Sequence, residues 1–179
     1  MTRDPRNTQD RILSAASRIV SRDGAGHLTL DAVAAESSLS KGGVLYHFPN
    51  KKALVQGMLT ALMDQLENRR DELAGDLTSN NDLLRGFVLA ENEQIQADRG
   101  STLAILAAAA EDPTLLAPAR DRFSRWMHDM LEKSADPTSA LILILAVEGL
   151  RFMDTLSLLD LTDEQRALLL ERMLQETRQ

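Results

Sequence analysis

One stretch of ten residues, SKGGVLYHFP at positions 40–49, carries side chains that could contact a groove or a phosphate surface. It begins with a serine suited to cap a helix and ends at a proline. At about 100° per residue, a helix here has two different sides. Its apolar side consists of Val44, Leu45 and Phe48, and its other side of Gly42, Gly43, Tyr46 and His47. The stretch therefore predicts a helix held from behind that presents a nearly bare N-terminal face. A half-buried helix in an ordinary bundle is the alternative.

The residues before this stretch predict two helices that position it. The first runs from about residue 7 or 8 to Asp23, and glycines at 24 and 26 end it. Its apolar residues recur at helical spacing, at Ile12, Ala15, Ala16, Ile19 and Val20. Thr29 caps a second helix that ends near Ser37, and Ser40 caps the third. Two short helices joined by a tight turn and resting on a longer one form a helix-turn-helix unit.

The remaining sequence is helical as well. Asn50 caps a long fourth helix, and further caps stand before helices five to nine, including Asp112-Pro113, Asp136-Pro137 and the capping box at residues 162–165. We expect an all-α chain of about nine helices without a strand. A change of composition near residue 50 predicts a small three-helix head at 1–50 and a larger helical body at 51–179.

Composition limits the possible functions. The 179 residues are 44% hydrophobic and 26% charged, which fits a folded globular protein. There is no cysteine, so a thiolate metal site and a disulfide framework are excluded, and we predict neither a metal nor a cofactor. The N-terminus has no apolar segment of a secretory signal, and no apolar run approaches the length of a membrane span. We therefore expect a cytoplasmic protein that does not bind a membrane.

The charge is distributed unevenly. Residues 1–52 contain eight Lys/Arg and five Asp/Glu, a net charge of +3, whereas the whole chain carries −7, which leaves −10 for the rest. A basic head on an acidic body favours an anionic partner for the head alone. Chance scatter of charges is the alternative explanation.

Three segments together resemble the TetR family (TetR/AcrR-type) of bacterial transcriptional regulators. They are LTLDAVA at 28–34, LSKGG at 39–43 and HFPNKKAL at 47–54. The resemblance implies a homodimer whose third helices enter successive major grooves of a pseudo-palindromic operator in double-stranded DNA, and a small-molecule effector in each body. It makes residues 1–50 a helix-turn-helix DNA-binding domain and residues 51–179 a helical regulatory domain for ligand binding and dimerisation. It places these residues at the DNA: Thr29, Ser40, Lys41, Gly42, Gly43, Tyr46, His47 and Lys51. The chain departs from the family at Leu45, where tyrosine is usual, and at Ser38, where glycine is frequent and strain is expected.

The body offers two expectations. The eighth and ninth helices carry much apolar surface, which fits either a homodimer through these last two helices or a fully buried central helix in a monomer. The resemblance to the TetR family favours the homodimer. Large, flexible inward residues could line an effector pocket, although each could equally belong to the core: Met58, Leu62, Phe87, Phe123, Trp126, Met127, Met130 and Phe152. The three-residue spacing of Glu148, Arg151 and Asp154 predicts an ion network within one helix.

The sequence as a whole indicates a sequence-specific DNA-binding regulator, most simply a repressor released from its operator by a ligand. A non-catalytic helical adaptor is the first alternative. A helical enzyme is the second, although we find no catalytic residues: the three histidines are far apart, and no nucleophile stands beside a base. We therefore expect no enzymatic activity.

Overall fold

The computed structural model describes residues 5–75, 81–97 and 99–178; side chains are described from residue 8 onwards, except at 94–99. The described residues form nine α-helices and no β-strand, which confirms the all-α prediction. The helices are α1 (Pro5–Asp23), α2 (Leu30–Ser37), α3 (Lys41–His47), α4 (Lys51–Ala74), α5 (Asp82–Ala97), α6 (Arg99–Glu111), α7 (Ala117–Glu132), α8 (Pro137–Thr155) and α9 (Asp163–Glu176). None of these helices is both long and apolar enough to cross a membrane.

The chain packs as two compact units, and α4 contributes residues to each. The first unit comprises residues 1–62 and 98–119, and the second comprises residues 63–97 and 120–179. Packing therefore groups α6 with the three head helices, which the sequence did not lead us to expect. The functional division at residue 50 stays a prediction.

The first unit has α1 at its centre, in contact with both α2 and α6. The predicted stripe of α1 is fully covered, since Ile12, Ala15 and Ala16 are 0% exposed and Ile19 and Val20 are 2% exposed. Helix α6 approaches closely because Gly100 has no side chain: a Cβ there would lie 2.3 Å from the carbonyl oxygen of Ser17. This contact fixes α6 against α1.

The second unit has a core formed by α5, α7, α8 and the end of α4. Phe87 is 0% exposed, and Trp126, Met130 and Ile144 pack in the same cluster. On α9, Leu170, Met173 and Leu174 pack against this core. From the sequence we also predict that Leu168 and Leu169 of this last helix face inward. This prediction is wrong, because they are 59% and 38% exposed.

Local capping signals agree with the structure except in one place. Asp136 caps α8 through the amides of Thr138 and Ser139, and Thr162 and Gln165 form the predicted capping box of α9. Asp112-Pro113 opens a short 3-10 turn at Pro113–Leu116 rather than α7 itself. Helix α4 ends at Ala74, and Gly75 follows with a φ of 70°. The predicted stop extended to Ser79, and residues 76–80 lie outside the described range.

Candidate nucleic-acid interface

Helix α3 is anchored by its apolar side. Val44 is 0% exposed and Phe48 is 3% exposed, so both side chains are buried in the first unit. Burying side chains of this size contributes ~1.5–3 kcal/mol each. Leu45, predicted on the same side, is only partly covered at 37% exposure. Two buried residues on successive turns are enough to fix the orientation of so short a helix.

The turn between α2 and α3 has the strain that the sequence predicted. Ser38 adopts the left-handed conformation with φ 54° and ψ 41°, which costs a non-glycine residue roughly 1 kcal/mol. Arg11 of α1 donates a hydrogen bond of 2.8 Å to the carbonyl oxygen of Ser37 and so satisfies the end of α2. The relative direction of the two helices is thereby set by the turn and by α1 together.

The starts of α2, α3 and α4 each have a side-chain cap. Thr29 accepts a hydrogen bond from the Ala32 amide at 3.1 Å, and Ser40 accepts one from Gly43 at 3.1 Å. Asn50 accepts one from Ala53 at 2.8 Å. The hydroxyl groups of Thr29 and Ser40 act here as acceptors, so each retains a hydrogen that it can donate to a phosphate oxygen.

The outer face of α3 is bare at its N-terminal end, as predicted. A Cβ added at Gly42 would meet nothing nearer than the Ser40 hydroxyl at 4.0 Å, and one added at Gly43 would lie 3.3 Å from the same oxygen. Packing inside the chain therefore does not require glycine at position 42. A partner outside the chain could approach the α3 backbone closely there.

One turn later, α3 presents Tyr46 to solvent. Its side chain is 84% exposed, the highest value among the exposed large hydrophobic residues. His47 is half-buried and packs edge-to-face against Tyr46, with 5.2 Å between ring centroids. Leu45 stands where the family usually has tyrosine, so the phenol hydroxyl of this chain projects from one position later.

The two predicted lysines differ in their surroundings. Lys41 lies 2.9 Å from Asp31 of α2 in an exposed ion pair, which a phosphate would have to displace. Lys51, at the first turn of α4, is exposed and makes no ion pair with the described residues within 4.0 Å. Its ammonium group is therefore the more accessible cation for a DNA backbone.

Other basic residues of the head hold α1 and α2 together. Glu36 of α2 accepts from Arg18 at 2.9 Å and from Arg22 at 3.1 Å. The hydrogen bond from Arg18 and, to a smaller extent, the one from Arg22 lower the pKa of Glu36. Asp23 also binds Arg22, and its pKa is lowered by that hydrogen bond. These pairs offset part of the positive charge that the sequence places in the head.

The eight candidate pocket residues do not form a single cluster. Met58, at 2% exposure, and the half-buried Leu62 belong to the first unit. Phe87, Trp126 and Met130 are core residues of the second unit, and Phe123 packs against that core. Met127 of α7 is half-buried. Phe152 is 47% exposed on α8.

Trp126 has polar surroundings that sequence inspection missed. Its indole N–H donates to Glu67 at 3.2 Å, and the guanidinium carbons of Arg70 and Arg122 lie 5.3 and 5.8 Å from its ring centroid. Arg122 also binds Glu67 and, by its hydrogen bond, lowers the pKa of that carboxyl. Glu67 and Arg70 lie on α4, more than fifty positions before Trp126, so helical periodicity carries no signal for them. Arg122 precedes Trp126 by one turn of α7.

Two cavities of the second unit are lined by other residues. One, of about 20 Å³, has room for a single water and is lined by Val88, Asn92, Val147, Leu150, Arg166, Leu170 and Met173. Another, of about 270 Å³, lies beside the N-terminus of α8 and includes Asp136 and Glu176. Among the described residues, no three His, Asp or Glu side chains lie close enough together to hold a metal ion.

Comparison with known proteins links the chain to regulators. Residues 12–58 match the family described as "Bacterial regulatory proteins, tetR family". Residues 81–178 match the family described as "Tetracyclin repressor-like, C-terminal domain". A probable HTH-type transcriptional regulator, ArpR, of Pseudomonas putida is 32% identical over 80 residues, which are 45% of this chain and 36% of that protein. The match thus spans about a third of that relative's length.

Solved structures of regulators share the fold. SCO1917, a TetR-family member of Streptomyces coelicolor A3, has a TM-score of 0.65 at 23% identity, over 93% of this chain and 97% of that one. The multidrug binding protein EbrR, in complex with ethidium, has a TM-score of 0.61 at 25% identity, over 97% and 99%. Because the two family matches together span both parts of the sequence, and the second covers more than half of it, the chain belongs to the TetR family of bacterial regulatory proteins.

Proposed function

We propose that this protein is a homodimeric, sequence-specific DNA-binding regulator of transcription that acts in the cytoplasm as a repressor and leaves its operator when a small molecule binds its body. The observation that carries the proposal is the outer face of α3. Its backbone is uncovered at Gly42, and Tyr46 is 84% exposed, while Val44 and Phe48 fix the helix from behind. Membership of the TetR family gives this face its partner, the major groove of DNA.

Within this proposal, the head residues have separate roles. Gly42 and Gly43 let the α3 backbone approach the groove, so shape and water-mediated contacts contribute much of the specificity. Lys41, released from Asp31, reaches a phosphate or a guanine edge. Thr29, Ser40, Tyr46 and His47 donate hydrogen bonds to the sugar-phosphate backbone, and Lys51 adds a phosphate contact at the start of α4.

The homodimer is proposed from an uncovered apolar stripe on α8. Exposed residues recur there at steps of three and four: Ile142, Leu145, Gly149, Phe152 and Leu156. Ile142 and Leu145 are more than 60% exposed, and a Cβ at Gly149 would meet nothing within 4 Å. On α9, Leu168 and Leu169 are exposed too. A symmetric four-helix contact between two copies would cover these residues and join two heads at the ~34–36 Å spacing of successive grooves.

The effector is proposed to bind in the body near the aromatic and methionine residues named above. EbrR, which shares this fold, is described in complex with ethidium. An aromatic ligand would have to enter beside the packed core residues Phe87, Trp126 and Met130, which line neither of the two cavities described above. Because Trp126 is the only tryptophan in the chain, its fluorescence reports on this core alone. Titrating DNA-free protein with ethidium should quench Trp126 saturably, and a Phe87→Leu variant should bind more weakly.

The DNA-binding proposal is tested by gel shift with the fragment upstream of the protein's own gene. We expect tight binding that exceeds binding to scrambled DNA of equal length and weakens steeply with added salt. Lys41→Ala combined with Tyr46→Ala should abolish the shift and leave the circular dichroism spectrum unchanged. Lys133→Ala, an exposed lysine of the body, is the matched control and should bind normally.

Equal affinity for scrambled and upstream DNA would overturn sequence-specific regulation. A double variant that still binds as the wild type would remove α3 from the interface. Either result would favour the adaptor hypothesis, in which the head serves only as a packing unit.

A further inference from the structure

Three ionisable side chains meet inside the second unit without balancing their charges. Glu91 projects from α5, and Glu148 and Arg151 project from α8. Glu91 is 1% exposed, less than any other buried polar or charged residue that the structure describes. With both carboxyls ionised, two negative charges would face one guanidinium. A buried site of this kind tolerates such an excess poorly.

Arg151 forms hydrogen bonds with Glu148 and none with Glu91. Arg151 donates to Oε2 of Glu148 from Nη2 at 2.5 Å and from Nε at 3.1 Å. The same Nε lies 3.1 Å from Oε2 of Glu91, yet this oxygen has no hydrogen-bond partner because the donor points elsewhere. Glu91 therefore receives electrostatic attraction from Arg151 but no hydrogen bond from it.

A proton on Glu91 removes the excess negative charge of the three side chains. Burial raises the pKa of Glu91 to about 8, the negative charge of Glu148 and a hydrogen bond to it act in the same direction, and only Arg151 opposes them. Two carboxyls that share one proton are a stable arrangement in a buried site. In this state the cluster carries one neutral acid, one carboxylate and one guanidinium, so its charges cancel.

Several other charged groups on elements packed against α5 form ion pairs of their own. They are Arg166 of α9 with Asp154 of α8, Arg69 of α4 with Glu93 of α5, Arg70 with Asp71 on α4, and Arg122 of α7 with Asp64 and Glu67 of α4. None of them acts on Glu91 among the described residues, whereas Glu148 and Arg151 do. The three side chains therefore form a closed unit.

We propose that Glu91, Glu148 and Arg151 form a proton-controlled clasp between α5 and α8. With a proton on Glu91, α8 packs on α5 as observed. When the proton leaves, the buried carboxylate of Glu91 and the half-buried carboxylate of Glu148 compete for one guanidinium, and the packing of α8 on α5 weakens. The clasp makes the stability of the body depend on pH near neutrality, independently of any DNA or effector.

The direction of the pH effect on stability follows from the raised pKa of Glu91. Glu91 holds its proton more tightly in the folded chain than in the unfolded chain, so its contribution is complete below the unfolded pKa near 4.5 and declines as pH rises towards about 8. Above that pH both states have lost the proton and the dependence ends. One proton bound only by the folded state changes the unfolding equilibrium constant about tenfold per pH unit.

The test compares urea unfolding of the full chain between pH 5.5 and pH 9, followed by Trp126 fluorescence. Glu91→Gln keeps the size of the side chain and removes the proton. Relative to this variant, the unfolding constant of the wild type should rise about tenfold per pH unit from about pH 5.5 to 7.5. Glu93→Gln, on the exposed side of the same helix, is the matched control and should keep the wild-type slope. Equal slopes for the wild type and Glu91→Gln would overturn the clasp.

Carboxyl carbon-13 NMR provides a measurement that does not depend on the stability of Glu91→Gln. In the wild type one glutamate should titrate near pH 8, and the signal should be absent from Glu91→Gln. Glu148→Gln removes the neighbouring negative charge and should move this titration to lower pH. A glutamate spectrum that titrates entirely below pH 5.5 would also overturn the clasp.

Discussion

Helix α3 and helix α8 each expose a face that no other part of the described chain covers, but the two faces have opposite chemistry. The face of α3 is nearly bare backbone followed by Tyr46, whereas the face of α8 is a stripe of aliphatic and aromatic side chains. Polar, close-fitting surfaces suit a hydrated groove, and apolar stripes suit a second protein surface. The two exposed faces therefore suit two different kinds of partner, and the residues exposed on each face indicate which kind.

Glycines on the two exposed faces differ from glycines inside the chain. Gly86 and Gly100 are needed inside the chain, since a Cβ at either would lie 2.3 Å from a backbone oxygen of a neighbouring helix. Gly42 on α3 and Gly149 on α8 have no such neighbour. Glycine in a helix without a local reason lowers stability by about 0.5–1 kcal/mol. We infer that an outside partner explains glycine at positions 42 and 149.

The largest expected effect comes from Leu145→Glu on α8. Leu145 is 61% exposed, so the variant should fold normally, but its carboxylate would be buried in the proposed dimer contact. We expect a monomer in sedimentation velocity and a loss of operator affinity of about 10²–10⁴-fold, because two heads joined in one dimer bind together. Ser124→Glu, an exposed position on α7, is the control. A dimeric Leu145→Glu variant would place the dimer contact elsewhere.

A smaller effect is expected from Gly42→Ala, which adds one methyl group to the face of α3. The variant should be more stable by about 0.5–1 kcal/mol and yet bind operator about ten- to a hundredfold more weakly. Gly149→Ala is the paired variant: it should gain similar stability and weaken the dimer instead. Thermal unfolding, gel shift and sedimentation distinguish the two. Unchanged operator affinity of Gly42→Ala would remove close backbone approach from the mechanism.

Lys51→Ala should weaken operator binding only a few-fold. Because each of the two heads loses one phosphate contact, the slope of log affinity against log salt should fall by about 2, whatever the sequence of the DNA. Lys133→Ala should leave the slope unchanged. A normal slope in Lys51→Ala would mean that the start of α4 does not reach the phosphate backbone.

The smallest effect is expected at the turn that carries α3. Ser38→Gly relieves a left-handed residue with φ 54° and should raise the stability by up to about 1 kcal/mol without changing operator affinity. Ser14→Gly, at an exposed position inside α1, should lower the stability by about 0.5 kcal/mol. Destabilisation by Ser38→Gly in chemical unfolding would show that the turn is unstrained.

The head was largely predictable because its signals are local. The caps Thr29, Ser40 and Asn50 act on amides three positions later, and the buried stripe of α1 follows helical periodicity. The strain at Ser38 was also predictable, since the turn requires a positive φ there. The body was less predictable. An apolar helix such as α8 has two apolar sides, and periodicity does not decide which side meets the core.

The ion pairs in the body were also only partly predictable from the sequence. The predicted network along α8 exists between Glu148 and Arg151, but Asp154 pairs with Arg166 of α9, at 2.5 Å, and not with Arg151. Both choices satisfy the spacing rules of a helix. Only the packing of α9 beside α8 brings Arg166 within reach.

The sequence by itself determined the nine helices, their caps, the turn before α3 and the family, because these depend on residues within a few positions or on a fixed linear pattern. The tertiary structure alone decided that α6 packs with the head and that the stripe containing Leu145 stays uncovered. It also placed Glu91 of α5 opposite Glu148 and Arg151 of α8. Those outcomes depend on which helix faces meet, and charge imbalance in a buried site arises only when distant residues are brought together.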